Sequence, residues 1–274
     1  MENDLSMGAA WMNGKVLPIS QAMIPVNDWG LVHSDITYDV VPVIDGAFFR
    51  FGEYLARFLS SMENLHLDPG MSKRDIQAAL HQMVGKSSLR DSYVAMVCSR
   101  GKPKIAGSRD PRDCENHFFA WCVPYVHIIK PEIVKQGATA WIAQNAYRIP
   151  ENSVNPLVKN YHWGDFTQGI FEAKDKDYET VILLDYDGNV TEGPGFNVFA
   201  VKDKVLITPD RGVLAGVSRK TVLEMAEHLG INTNTRPLSV EELLEADEVF
   251  LSSSGGGVIP IIRVNETIFG NGAS

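Results

Sequence analysis

Cysteine is scarce in this chain, with Cys98, Cys114 and Cys122 the only three in 274 residues, and no CxxC pair among them. Three thiols cannot all pair, so a disulfide framework is excluded as the basis of the fold. They read as reduced, mostly buried apolar residues. No apolar run approaches the roughly 20 residues that span a bilayer. The opening MENDLSMGAAWM lacks the charged and apolar regions of a signal peptide. The expected compartment is the cytoplasm. Positive charge is also short: Lys plus Arg number 25 against 34 Asp plus Glu, a net charge of −9. A nucleic-acid binder is expected to carry a basic face, so that class is disfavoured, although a local pocket for a small phosphate remains open. The seven histidines show no HExxH and no close ligand spacing, so no metal is expected. There is no GxxxxGK[ST] loop and no GxGxxG after a strand, which leaves nucleotide cofactors without support.

What is present is an ordinary globular composition, 45% hydrophobic, long enough for one large domain or two smaller ones. Asn13-Gly14, Asp45-Gly46 and Asp187-Gly188 each sit between extended runs and predict strand–turn–strand units. Helical periodicity runs over Gly52–Leu65, Ser72–Val84, Asp165–Ala173, Ser218–Leu229 and Val240–Leu244. Continuous strands are expected at Tyr93–Ser99, His117–Pro124, Ala138–Ala146, Asn197–Val201 and Glu248–Ser252. Hairpins mixed with helices predict an α+β fold rather than a doubly wound parallel sheet. PYVHIIKPEIVKQG carries two prolines between strands and marks a boundary. The expected division is a small α+β domain over 1–124, a linker over 125–137 and a larger domain over 138–274.

A few residues stand out chemically. In PLVKNYHWGDF, Lys159 sits in an apolar and aromatic run before a helix. By itself this allows a surface lysine that snorkels to water. It equally allows a desolvated amine of lowered pKa, a usable nucleophile. In GVSRKTVLEMAEHLG, Ser218 reads as an N-cap, and a helix N-terminus there suits a phosphate as well as a plain cap. FLSSSGGGVIP ends a strand in three hydroxyls and three glycines, either a flexible turn or an anion nest. Arg57 lies four residues after Glu53 and could pair with it on an exposed face, or be buried and grip a phosphate. Glu192 precedes Gly-Pro-Gly at a strand entry, as a turn acid or as a held carboxylate. Together these give a lysine, an acid, an arginine and two anion nests. Pyridoxal phosphate needs such a set: a Schiff-base lysine, an acid for its ring nitrogen and a phosphate cup.

On HSDITYDV, DGAFFRFGEYLARF, VKNYHWGD, TEGPGFNVF, TPDRGVLAGVSRK and SSSGGGVIPI, in that order, the chain resembles the fold type IV pyridoxal-phosphate enzymes. That group includes branched-chain and D-amino acid aminotransferases and aminodeoxychorismate lyase. Within it the chain is most similar to the (R)-selective amine transaminases. The resemblance implies a two-domain fold whose larger domain has a β-barrel-like core, with pyridoxal 5'-phosphate as cofactor. It implies a homodimer that takes a small amine and a keto acid such as pyruvate. Lys159 would be the Schiff-base lysine and Glu192 the partner of the ring nitrogen. Arg57, the backbone of Val217 and Ser218, the Ser218 hydroxyl and Ser254 would form the phosphate cup, and Leu214 would pack on the ring. His33, Tyr38, Val40, Tyr93, Tyr161 and Trp163 would shape the substrate pockets. The arginine expected for a keto-acid carboxylate is replaced by Ala106, and Arg109 is the substitute carried forward. Arg112 is expected to pair with Asp110 or Asp113. The chain ends at Ser274, where relatives continue into one more helix, so a truncation is expected. The expected activity is amino transfer from an (R)-amine or D-configured donor. The alternatives are a branched-chain or D-amino acid aminotransferase, a lyase, or more remotely a non-catalytic module that binds the cofactor.

Overall fold

The computed structural model describes residues 4–270, so the expected truncation after Ser274 lies outside the described residues. By contact the chain divides into two units. One comprises 1–126 with 158–161, and the other 127–157 with 162–274. Of the segment read as a linker, 125–126 fall in the first unit and 127–137 in the second, while four residues around Lys159 return to the first.

The first unit is built on an antiparallel sheet. Its elements are β1 (Ala9–Met12), β2 (Lys15–Pro18), α1 (Trp29–Val32), β3 (Ile36–Ile44), β4 (Ala47–Phe48), α2 (Phe51–Asn64), α3 (Lys73–Ser87), β5 (Ser92–Ser99) and β6 (His117–Pro124). The strand order is β2-β1-β6-β5-β3-β4. The Asn13-Gly14 turn pairs Met12 with Lys15, and the Asp45-Gly46 turn pairs Ile44 with Ala47, both as read from the dipeptides. Two-residue hairpin loops of this kind need left-handed backbone at both positions, and all four residues have positive φ. Helix α2 packs on β3, and α3 on β1 and β6. Their apolar stripe, including Tyr54, Leu55, Phe58, Ile76, Leu80 and Met83, is fully buried. Strand alternation sends Tyr38, Val40, Ala95 and Val97 to the opposite face, where Tyr93, Phe119 and Trp121 join them. β3 pairs with β4 only at its far end, so its first half is an open edge. The 158–161 segment meets that edge through a Thr37–Asn160 bridge.

The second unit contains α4 (Pro131–Val134), β7 (Ala138–Tyr147), α5 (Gly164–Lys174), β8 (Thr180–Leu184), β9 (Glu192–Gly193), β10 (Phe196–Lys202) and β11 (Val205–Thr208). After these come α6 (Val217–His228), β12 (Thr233–Thr235), α7 (Val240–Leu244), β13 (Glu248–Ser253), β14 (Gly257–Val264) and β15 (Thr267–Ile268). A nine-stranded mixed sheet runs β12-β11-β10-β13-β14-β7-β8, with β9 on β10 and β15 on β14. β7 pairs in parallel with β8 and β14, and β11 with β12; the pairings within β9–β10–β11, β10–β13–β14 and β14–β15 are antiparallel. One face buries Val198, Ala200, Val249, Leu251, Ile259 and Ile261 against Leu238 and Leu243. On the other, α5 covers β7 and β8, and α6 covers β10 and β13 through Phe199, Ala226 and Phe250. The hairpin read at Asp187-Gly188 closes by a single Leu184–Val190 bridge, and the returning chain then pairs as β9 with β10. Asp185 draws the turn in by accepting from the amides of Asp187 and Asn189.

Candidate active site

In the first unit, Lys159 is held by its backbone before its amine is considered. Its carbonyl accepts from the Thr37 hydroxyl at 2.6 Å and the Tyr38 amide at 3.3 Å, and its N–H donates to Ser61 Oγ at 3.3 Å. β3 and α2 therefore fix where the side chain starts. Its Nζ stands 4.5 Å from the centroid of the Tyr38 ring, within cation–π range. Tyr161 stacks on that same ring at 4.1 Å and 3° between planes. Burial, then the proximity of Tyr38 and Asp39, raises the Tyr93 phenol well above its ordinary pKa, and burial with Tyr38 and Tyr93 does the same at Tyr161. Both phenols stay protonated at any working pH and are available as donors.

Arg50 pairs with Glu53, and the largely buried Arg57 reaches an acid on β3. Its Nε and Nη2 grip both oxygens of the fully buried Asp39 at 2.8 and 2.7 Å. Burial disfavours the guanidinium, but Asp39 outweighs it, and the Arg57 pKa ends raised. Val40 is buried on β3 beside Tyr38, while His33 is exposed just after α1, edge-on to Trp29 at 4.5 Å. Arg109 and Ala106 are both exposed, and Arg112 pairs with Asp110.

The second unit holds the acid. Glu192 is 5% exposed on β9, where Gly193 is required because a Cβ there would stand 2.1 Å from the Phe196 ring and 2.3 Å from Val181 O. Glu192 Oε1 accepts from Arg148 Nε at 3.1 Å, and Oε2 from the Leu214 amide at 2.8 Å. Arg148 also donates from Nη1 to Asp165 Oδ2 at 2.6 Å and lies 4.4 Å from the Phe166 ring centroid. Asp165 is fixed in turn by the amides of Ile149 and Phe166. A buried carboxylate with a guanidinium and an amide donor on it is kept ionised. Arg148, which bridges Glu192 and Asp165, was missed by the sequence reading; its only local signal is a lone cation in AYRIP.

Leu214 leads into α6. The N-cap is Gly216 rather than the expected Ser218, which stands two residues inside the helix. No side chain caps this terminus and no acid occupies its first turn, so its amides suit an anion. At the end of β13, the Ser253 hydroxyl donates to Gly195 O and accepts from the Gly255 amide, shaping the turn that carries Ser254. Ser252 Oγ is buried and has no hydrogen-bond partner among the described residues. Trp163 immediately precedes α5 and meets Phe166 edge-on at 5.5 Å.

The lysine, the held carboxylate and the uncapped helix start all fall within residues 37–264, which the class IV aminotransferase family model matches. The chain belongs to that family. Among curated relatives, the putative branched-chain-amino-acid aminotransferase of Methanocaldococcus jannaschii is 27% identical over 264 residues, covering 95% of this chain and 89% of the relative. The D-alanine aminotransferase of Bacillus licheniformis is 28% identical over 268 residues, covering 95% and 90%. The solved branched-chain amino acid aminotransferase of Escherichia coli superposes at a TM-score of 0.90 with 25% identity, covering 97% of this chain and 89% of that one. The protein is thus a pyridoxal-phosphate-dependent class IV aminotransferase of the fold type IV architecture, as its motifs implied.

Proposed function

We propose that this aminotransferase uses pyridoxal 5'-phosphate on Lys159 to move an amino group from an (R)-amine or D-configured donor to a keto acid such as pyruvate. The observation that carries the assignment of Lys159 is its setting, pinned by Thr37, Tyr38 and Ser61 with its amine on the Tyr38 ring. The remaining residues fit the group. Two buried carboxylates share the Arg148 guanidinium, which leaves that trio a formal negative charge for a protonated ring nitrogen to meet. The α6 amides with Ser218, together with Arg57 and Ser254, would take the phosphate, and Leu214 would lie against the ring. When bound, the cofactor supplies an electron sink for a carbanion at the substrate carbon. Lys159 Nζ would hold the cofactor and would be the group that takes and returns the proton at that carbon. Glu192, with Arg148 and the Leu214 amide donating to it, would hold the proton on the ring nitrogen. Tyr93 and Tyr161 offer phenol donors to a carboxylate, while Tyr38, Val40, His33 and Trp163 would give the pockets their shape.

The donor preference rests on the ITYDV and VKNYHWGD motifs. A branched-chain or D-amino acid preference is the second reading, favoured by the M. jannaschii and B. licheniformis relatives. A donor screen with both enantiomers of 1-phenylethylamine and of alanine, plus L-leucine, decides between them with pyruvate and branched keto acids as acceptors. Turnover of the (R)-amine and D-alanine is expected. Preference for L-leucine would overturn the stereochemical reading. A colourless protein that borohydride leaves unchanged would overturn the Schiff-base role of Lys159 as well.

A further inference from the structure

Glu192 and the start of α6 lie far apart in sequence, and one buried side chain ties them together. Asn197, 5% exposed on β10, is the register partner of Glu192 across the β9–β10 pair. Its Nδ2 donates to Leu214 O at 3.0 Å and lies 3.5 Å from Glu192 Oε2. The Leu214 amide donates to that same oxygen at 2.8 Å, so one side-chain amide closes a ring through the carboxylate and the Leu214 peptide. Asn197 Oδ1 fills the space above Gly216: a Cβ at 216 would stand 2.1 Å from it. The first residue of the α6 cap is thereby seated on Asn197. Ser252, with its unpartnered buried hydroxyl, is the register partner of Asn197 on β13 and points to the same face of the sheet.

We propose that Asn197 is a positioning residue that sets Glu192 and the α6 amino terminus in register, so that ring-nitrogen and phosphate contacts are fixed as one unit. This rests on the reading that Glu192 and α6 hold pyridoxal phosphate. The chemistry of the amide suits the task. Aspartate would set a second carboxylate against Glu192, and alanine would leave Leu214 O without its donor and open the space above Gly216. Serine is too short to reach both.

The test is a double-mutant cycle on the full chain, cleared of cofactor and then titrated with pyridoxal phosphate or with phosphate-free pyridoxal by absorbance. Asn197→Ala and Glu192→Gln should each weaken pyridoxal phosphate binding about tenfold, and the double variant should lose at least about fivefold less than the product of the two. Asn197→Ala should cost less affinity for pyridoxal than for pyridoxal phosphate, because half of its role is at the phosphate end. Glu192→Gln should cost both ligands equally. If Asn197→Ala does not fold, Gly216→Ala, which displaces Asn197 Oδ1 from the other side, takes its place in the cycle. Strictly additive losses, with Glu192→Gln clearly weakened, overturn the role of Asn197 alone. Pyridoxal phosphate binding that is absent in the wild-type chain, or unchanged in Glu192→Gln, overturns the underlying reading.

Discussion

At the scale of the residue, Lys159 shows how a local sequence feature acquires its meaning from elsewhere in the chain. Its amine is held at Tyr38 by contacts from β3 and α2. Lys159→Ala should leave the melting temperature within about a degree or two, since a partly exposed side chain is removed. Turnover should fall at least about 10³-fold, within the range that a positioned proton carrier contributes. Borohydride should no longer fix cofactor to the protein, and near-wild-type turnover would show that the lysine is misassigned. Arg109 is a different case, exposed on its loop with no hydrogen bond or ion pair holding it among the described residues. An arginine kept in water between substrates avoids the penalty of a buried, unpaired charge when an apolar amine is bound. Arg109→Ala should raise the KM for pyruvate roughly tenfold, the worth of a charge-assisted hydrogen bond, and spare the half-reaction with the amine. Unchanged kinetics in both halves would place the carboxylate anchor elsewhere. Arg148 could not be found this way. Its partners stand at 165 and 192, and nothing in AYRIP distinguishes a guanidinium that bridges two buried carboxylates from a cation ending a strand.

At the scale of the element, most of the periodic segments were legible. The helix read over Gly52–Leu65 is Phe51–Asn64, and the strand read over His117–Pro124 has those same bounds. Such patterns survive because one face of each element must be apolar whatever its neighbours are. What the sequence hid was pairing. After Asp187-Gly188 the chain returns along β8 as far as the Thr191 amide on Leu183 O, while the Val190 amide donates to Leu238 O, and Glu192 and Gly193 then pair with β10. The α6 cap was misread for a related reason: Ser218 has the right chemistry for a cap, but the backbone approach to Asn197 needs glycine at 216. A side chain that was passed over, Asp28, caps α1 through the Gly30 amide. It also accepts from the Ser99 hydroxyl and meets His117 Nε2 at 2.6 Å. Burial pushes its carboxyl pKa up, but His117, Ser99 and Gly30 outweigh that and leave it below the ordinary carboxylate range. The unfolded chain therefore binds this proton more readily than the native one. The stabilisation is complete above the ordinary range and is lost as pH falls through the lower native value. Asp28→Asn should cost about 1–3 kcal/mol near neutral pH, the penalty for weakening a buried hydrogen-bonded charge. It should also flatten the loss of stability below about pH 4 in urea unfolding. A parallel pH profile for variant and wild type would refute this.

At the scale of the whole molecule, the chain carries a net charge of −9, and no described helix is long and apolar enough to cross a membrane. The first unit nevertheless leaves apolar side chains in water along one short stretch before His33. Met23 is 77% exposed, Val26 84%, Leu31 59% and Val32 52%. Isolated apolar residues on a surface need no explanation, but four so exposed within ten positions concentrate apolar surface in one stretch, which makes it the candidate interface. Covering them against a second copy would return roughly 25 cal/mol for each Å² of apolar surface removed from water. A closed twofold dimer uses the same patch on both partners, which is the commonest arrangement among soluble oligomers. The chain should therefore run as a homodimer in light scattering at micromolar concentration. Val26→Glu combined with Leu31→Glu should shift the mass toward the monomer, because each charge would have to be desolvated on both sides of the twofold axis. A monomeric mass for the fully active wild-type enzyme would exclude the dimer, and an unaltered dimer in the double variant would move the interface away from this stretch.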